Sequence, residues 1–219
     1  KEGIADCSNV LGTSVRPGSM KIAETKAEKT GTITTADRQV IGDTNPTHTG
    51  GFNINARVYG FDLTANFNWS VGNDVYNANA IEYTQTSKYQ YRNLIDKMAG
   101  GSRWTNIDAN GNLLNWDNAE ELAALNANTT MWSPYTGKYV LTDAYVEDAS
   151  FLRLSTLTLG YTLPENLTKR AGINSLRFYV TAYNVFCITN YSGFDPEVSA
   201  IRKTNLTPGV DYSAYPKSR

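Results

Sequence analysis

Histidine, cysteine, proline and long apolar runs are all scarce in this sequence. One histidine, two cysteines and 7 prolines stand among 219 residues. The single histidine, His48, lies in the turn-forming stretch GDTNPTHTGG (Gly42 to Gly51), which suits a surface residue better than a metal ligand or a general base. Cys7 and Cys187 are far apart and lack metal-ligand spacing. They can bridge in an oxidising compartment, and two separate buried thiols are the plainer reading. A net charge of -1 leaves no basic footprint, which gives nucleic-acid binding little electrostatic support, so no nucleic-acid partner is expected. No P-loop, dinucleotide fingerprint or Ser-His-Asp set occurs. The paired acids Glu120-Glu121 and Glu147-Asp148 fit a helix start and a loop end better than a glycosidase pair. The chain is therefore expected to be no enzyme and to need no cofactor or metal.

No apolar run reaches the about eighteen residues of a membrane-spanning helix. That absence leaves a membrane barrel open, because barrel strands hide their apolar residues by alternation. Alternation is what the chain has. In GFDLTANFNWSVGNDVYN (Gly60 to Asn77), Phe61, Leu63, Ala65, Phe67, Trp69 and Val71 alternate with polar or small residues. A strict period of two makes one face of an extended strand apolar and the other wet. FNINARVY (Phe52 to Tyr59) repeats the pattern, and Tyr59-Gly60 joins the two as a tight hairpin. In FLRLSTLTLGYTLP, Leu157, Leu159, Tyr161 and Leu163 share one phase, while Leu152 and Leu154 sit on the other, so a bulge is expected near Ser155-Thr156. LRFYVTAYNVF adds a fourth strand, with Leu176, Phe178, Val180 and Ala182 on one side, after a short polar turn at Glu165 to Gly172.

Between the hairpins the chain is long, polar and irregular. Residues 1–49 read as loop, and so does the tail from Cys187. The segment 73–147 is a very long loop with two helix signals. Tyr91, Leu94, Ile95 and Met98 fall at helical spacing, and DNAEELAALNAN offers Asp117 or Asn118 as cap. DANGN (Asp108 to Asn112) is a tight-turn signal.

Tight turns at one end and long loops at the other are the arrangement of an outer-membrane barrel. An eleven-residue strand tilted about 45° rises roughly 25 Å, the height of such a barrel's apolar band. The alternative is a soluble β-sandwich, in which the same alternation faces a packed core. The charge-poor, Asn- and Thr-rich polar phases favour the barrel, with Phe61, Leu63, Phe67, Trp69, Leu157, Leu159, Tyr161, Leu176, Phe178 and Val180 facing lipid.

These segments also carry a family resemblance. TTADRQVIGDTNPTHTGGFNINARVYGFDLTANFNWSVGNDVYN (Thr34 to Asn77), VEDASFLRLSTLTLGYTLP (Val146 to Pro164), LRFYVTAYNVFCITNYSGFDPEV (Leu176 to Val198) and GVDYSAYP (Gly209 to Pro216) resemble, in order and spacing, the late-barrel region of SusC/RagA-type TonB-linked outer-membrane transporters of Bacteroidetes. The resemblance implies an all-β fold: residues 1–219 would be a C-terminal antiparallel portion, about four strands, of a transmembrane β-barrel of twenty-two. It implies short helices in long extracellular loops, 73–147 being the longest. It further implies import of oligosaccharides or peptides with a SusD-like surface lipoprotein as lid, driven by TonB-ExbB-ExbD through a plug region. Plug and final strand are not recognisable here, so the chain is expected to be a piece of a longer one. Four strands cannot close a barrel, and open edges cannot sit in lipid. Relatives often carry an acidic, calcium-loop-like D-x-N-x-D-G before the Asp37-Arg38 pair; AETKAEKTGTITTADR lacks it, so no calcium is expected there.

For binding, Trp104, Trp116 and Trp132, with Tyr89, Tyr91 and Tyr135, offer flat faces for sugar rings. The plainer reading is that they pack the loop against itself or against the lid. The rival function is a soluble secreted β-sheet module that binds carbohydrate, and a remoter one is a structural surface protein.

Overall fold

The computed structural model describes residues 4–86, 91–135, 140–197 and 208–212. The chain divides into two compact units, one of Lys1–Ile41 with Ala78–Tyr145 and the other of Gly42–Asn77 with Val146–Arg219. Sequence order alone would not pair 1–41 with 78–145.

The strands lie in the second unit and run in chain order β1 (His48–Val58), β2 (Phe61–Val71), β3 (Asp74–Asn77), β4 (Val146–Asp148), β5 (Phe151–Thr162), β6 (Arg177–Thr189) and β7 (Val210–Asp211). A four-stranded antiparallel sheet has the order β1-β2-β5-β6, and a three-stranded one the order β4-β3-β7. The β1–β2 turn is Tyr59-Gly60, with φ of 49° and 86°. Positive φ at both central residues is the two-residue hairpin geometry that matches strand twist. At Gly60 a Cβ would stand 2.8 Å from the Thr162 carbonyl oxygen, so the turn needs glycine for space as well as for its dihedral.

The register puts the apolar residues side by side. Phe52 faces Phe67, Ala56 faces Leu63 and Val58 faces Phe61. Leu63 in turn faces Leu159, and Phe61 faces Tyr161. Leu159 then meets Val180, and Tyr161 meets Phe178. The register breaks where the leucine phases conflict. Asn66 pairs with Thr156 but Phe67 with Leu154, which leaves Ser155 as an extra residue. An extra residue shifts the phase by one. Leu154 and Leu152 thereby rejoin the apolar face opposite Phe67 and Trp69.

Several sequence expectations need correction here. β1 begins at His48, inside the stretch read as a turn, and β6 runs on through Cys187 to Thr189, where a loop was expected. The turn expected at 165–172 is a longer connection over 163–176, containing a short helix (Glu165–Thr168) and a 3₁₀ turn (Lys169–Ala171), so only the first hairpin is tight. Leu176 precedes β6 and stays tied to β5 because its carbonyl accepts from the Leu163 N–H at 2.9 Å. The helix expected around Tyr91 to Met98 is a single 3₁₀ turn, Asp96–Met98. Ile95 is extended there and spends its N–H on the Tyr83 carbonyl at 3.0 Å, a tertiary bond that forbids the helical one.

Other local readings hold. The helix Ala119–Leu125 is capped by Asn118, whose side chain accepts from the Glu121 N–H. Asp108 gathers the N–H groups of Asn110 and Asn112 at 2.8 and 2.7 Å, which closes the predicted turn. The long segment is pinched at its base, where Val75 pairs with Glu147 and Tyr76 with Val146. A buried cluster of Val75, Ala149 and Tyr191 sits beside that pinch, and the Tyr191 hydroxyl donates to Asp211 at 2.6 Å. Cys7 and Cys187 are both free thiols.

In the first unit Cys7, Leu11 and Ile33 form a buried core flanked by Val10, Val15, Met20, Ile22 and Val140. Beside it, Asp37 accepts from the N–H groups of Thr34 (2.7 Å), Thr25 (2.9 Å) and Lys26 (3.1 Å). The Lys26 ammonium lies between Glu24 and Asp37 at 3.1 and 3.4 Å. The Thr34 N–H first, then those of Lys26 and Thr25 and the Lys26 ammonium, hold the Asp37 carboxyl well below the usual carboxylate range, against the opposing effect of burial. A lowered folded-state value stabilises above the unfolded value and is lost as pH falls through the folded one. In the complete protein, hydrogen exchange at Thr25, Lys26 and Thr34 should therefore stay slow from pH 7 to about 4 and quicken only below that. Asp37→Asn should give fast exchange at neutral pH and no further acid step.

Candidate functional site

Two features of the structure can meet other molecules. The first is the apolar face of the four-stranded sheet, which is open. Phe61, Leu159, Phe178 and Val180 are 53%, 54%, 60% and 75% exposed, where a sandwich core would bury them. Leu63, Phe67, Trp69, Leu157 and Tyr161 are half-buried. Their contacts include in-plane neighbours: Phe67 stacks on Phe52, and Phe61 packs on Tyr161, each at 4.5 Å between ring centroids. A contiguous apolar surface of this kind marks contact with a partner or a membrane.

The opposite face is wet. Asn53 donates to Asn66, and Thr64 donates to Asn55 at 2.9 Å. Asp62 accepts from Arg177 across the intervening strand, and it can do so because Gly160 lies between them. A Cβ at Gly160 would come within 2.6 Å of the carboxylate. At the far end of β2 the Trp69 indole N–H donates to His48 Nδ1 at 2.8 Å, and Gly50 beneath the ring leaves it room. His48 thus tethers a strand end and is exposed, as the sequence suggested, but not in a turn.

The second feature is an aromatic cleft of about 170 Å³ in the first unit, lined among others by Arg16, Gly18, Trp104, Asn106, Trp116 and Tyr135. Trp104 and Trp116 stack with centroids 5.2 Å apart and planes 20° off parallel. Gly18, at φ 83°, lies so close to Trp104 that a Cβ would stand 2.4 Å from its ring. The Arg16 guanidinium sits 4.9 Å from the Trp116 centroid. Trp132 does not join them. It packs edge-on against Tyr145 at 6.1 Å, and its indole N–H is buried without a partner. Tyr91 is exposed, and Tyr89 lies outside the described residues. Sequence reading missed Arg16, since one arginine in a loop carries no periodic or motif signal; only the fold places it on Trp116.

A four-stranded antiparallel sheet with one open apolar face and one hydrogen-bonded polar face is an arrangement found in the walls of membrane β-barrels. No protein-family model matches the chain. The chain is similar to the TonB-dependent receptor P3 of Formosa agariphila, with 33% identity over 193 residues, 86% of this chain and 17% of the receptor. It is also similar to the TonB-dependent receptor SusC of Bacteroides thetaiotaomicron, with 36% identity over 80 residues, 36% of this chain and 7% of SusC. Among solved structures, the RagAB peptide transporter superposes with a TM-score of 0.65 at 22% identity, covering 89% of this chain and 19% of that one. The RagAB peptide importer in its closed-closed state gives 0.63 at 24% identity, covering 98% and 19%. The resemblance read from the ordered blocks therefore holds: the chain is similar in sequence to TonB-dependent receptors, SusC among them, and in backbone to the RagAB transporter. It spans under a fifth of the length of each of these relatives. These relatives are receptors and transporters, not enzymes.

Proposed function

We propose that the chain is barrel wall and outer rim of an outer-membrane importer that takes up oligosaccharides or peptides with a SusD-like lipoprotein as lid. The open, four-strand-wide apolar face carries the reading, because hydrocarbon is the solvent that such a face can meet without a second layer. Phe61, Leu63, Phe67, Trp69, Leu157, Leu159, Tyr161, Phe178 and Val180 contact lipid, and Leu176 lies at the border. The wet face lines the lumen, and the hairpin Tyr59-Gly60 turns on the periplasmic side. Residues 1–41 and 78–145 form the external rim, with the aromatic cleft on it. TonB and its partners ExbB and ExbD act on a plug region elsewhere in the full protein, and the closed barrel has twenty-two strands.

Cells producing the full receptor and its lipoprotein test this. Uptake of labelled oligosaccharides or peptides should stop when TonB is deleted or a protonophore is added. Uptake that persists unchanged in both cases would remove the importer reading.

A further inference from the structure

Among the described residues, nothing in the lining of the cleft neutralises the cation that it holds. Its lining contains Arg16 and no carboxylate; the other polar groups, Ser19, Asn106, Ser133 and Tyr135 among them, are hydroxyls and amides. Among the described residues Arg16 makes no ion pair. The guanidinium lies over the Trp116 ring, 4.9 Å from its centroid, and among the described residues its N–H groups make no hydrogen bond, so they are available to a ligand. An edge of parallel N–H donors matches a carboxylate in bidentate fashion.

Among the aromatic rings of the cleft, Tyr135 is the most open. Trp104 and Trp116 are engaged with each other, with Gly18 and with Arg16, whereas Tyr135 is 71% exposed. Its volume of about 170 Å³ is below the roughly 300–1,000 Å³ of pockets that engulf a whole small molecule. It suits one residue of a chain-like ligand. We infer that the cleft receives a uronic acid residue of an oligosaccharide: the carboxylate on the edge of Arg16, the ring on Tyr135, the hydroxyls on Ser19, Asn106 and Ser133. An aliphatic acidic side chain of a peptide satisfies Arg16 equally but brings no ring for Tyr135. The inference rests on the reading of this unit as the substrate rim of an importer.

The test uses the complete receptor with its lipoprotein in lipid nanodiscs, titrated calorimetrically with trigalacturonate, its methyl ester and a triglutamate peptide. The acid should bind roughly tenfold or more tightly than the neutral ester, the range expected for a charge-assisted hydrogen bond. Arg16→Gln should reduce the acid to the level of the ester, and Arg16→Lys should restore part of the difference. Arg16 is exposed, so these variants should keep the wild-type circular dichroism. Equal binding of acid and ester, no binding of trigalacturonate, or a preference that Arg16→Gln leaves intact overturns the inference. Tighter binding of the peptide than of the uronate overturns its sugar part. Failure of the importer reading looks different: no probe is taken up in a protonophore-sensitive way by wild-type cells, whatever the titrations of Arg16 variants give.

Discussion

Arginine in place of Phe67 is expected to cost the complete receptor about 2–4 kcal/mol of stability in a bilayer, while arginine in place of its neighbour Asn66 costs far less. The two positions are adjacent on β2 and share strand and depth, on either side of the bulge in β5. They differ chiefly in face. Phe67 stacks on Phe52 and meets Phe186 at a tilt on the apolar side, and Asn66 bonds to Asn53 on the wet side. A guanidinium near the middle of the hydrocarbon must be desolvated or must distort the bilayer around it, whereas one facing the lumen remains in water. Urea unfolding of both variants from lipid vesicles measures the difference. Equal losses would mean that the two faces meet the same medium, which is incompatible with a wall between lipid and water.

Deletion of Ser155 should leave the receptor able to assemble, and deletion of Thr158 should not. Ser155 is the residue that the β2 ladder skips: Asn66–Thr156 and Phe67–Leu154 become consecutive pairs once it is gone. Leu152, Leu154, Leu157, Leu159 and Tyr161 then alternate regularly on one face. The remaining cost is local, because β6 holds Asn184 and Val185 between the partners of Thr156 and Leu154. Removing Thr158 keeps the bulge and adds a second change of phase. One half of β5 must then present its polar side outward, Thr156 and Arg153 if the half preceding the deletion turns over. Arginine alone costs about 2–4 kcal/mol at mid-depth and less near the interface, and the loss of the leucines from the apolar face adds to it. Heat-modifiable gel mobility of the receptor in outer-membrane fractions reads both outcomes. Assembly of the Thr158 deletion at wild-type levels would show that the faces of β5 are not fixed by their solvents.

Much of the sheet could be read from the chain because its information is local. Period-two alternation from Phe61 to Val71 matches β2 residue for residue, and the phase conflict between Leu154 and Leu157 marked the bulge. Strand ends were less legible, for a reason that their contacts show. β1 gains His48 to Gly51 because Gly50 leaves room for Trp69 and His48 accepts its indole N–H, neither of which has a periodic signature. β6 gains Cys187 to Thr189 because Phe151 and Arg153 pair with them from another strand. The apolar spacing from Tyr91 to Met98 suggested a helix, yet Ile95 bonds to Tyr83 instead, and Met98 reaches a buried position from a single turn.

The cleft shows the same division more sharply. Trp104 and Trp116 were candidates by residue type, and the fold stacks them; Trp132 was an equal candidate, and the fold turns it to Tyr145. Arg16 stands far from both tryptophans in the sequence and reaches them only because 1–41 and 78–145 share one unit.

What the sequence by itself determined is which side of each strand is apolar, since side-chain direction along an extended backbone follows from position parity alone. What only the tertiary structure decided is where the strands stop, how the two leucine phases are brought onto one surface, and which loop side chains stand together. Those depend on partners distant along the chain, and the free energy of such pairings lies in the contact and in the closure of the intervening loop, neither of which a local window contains.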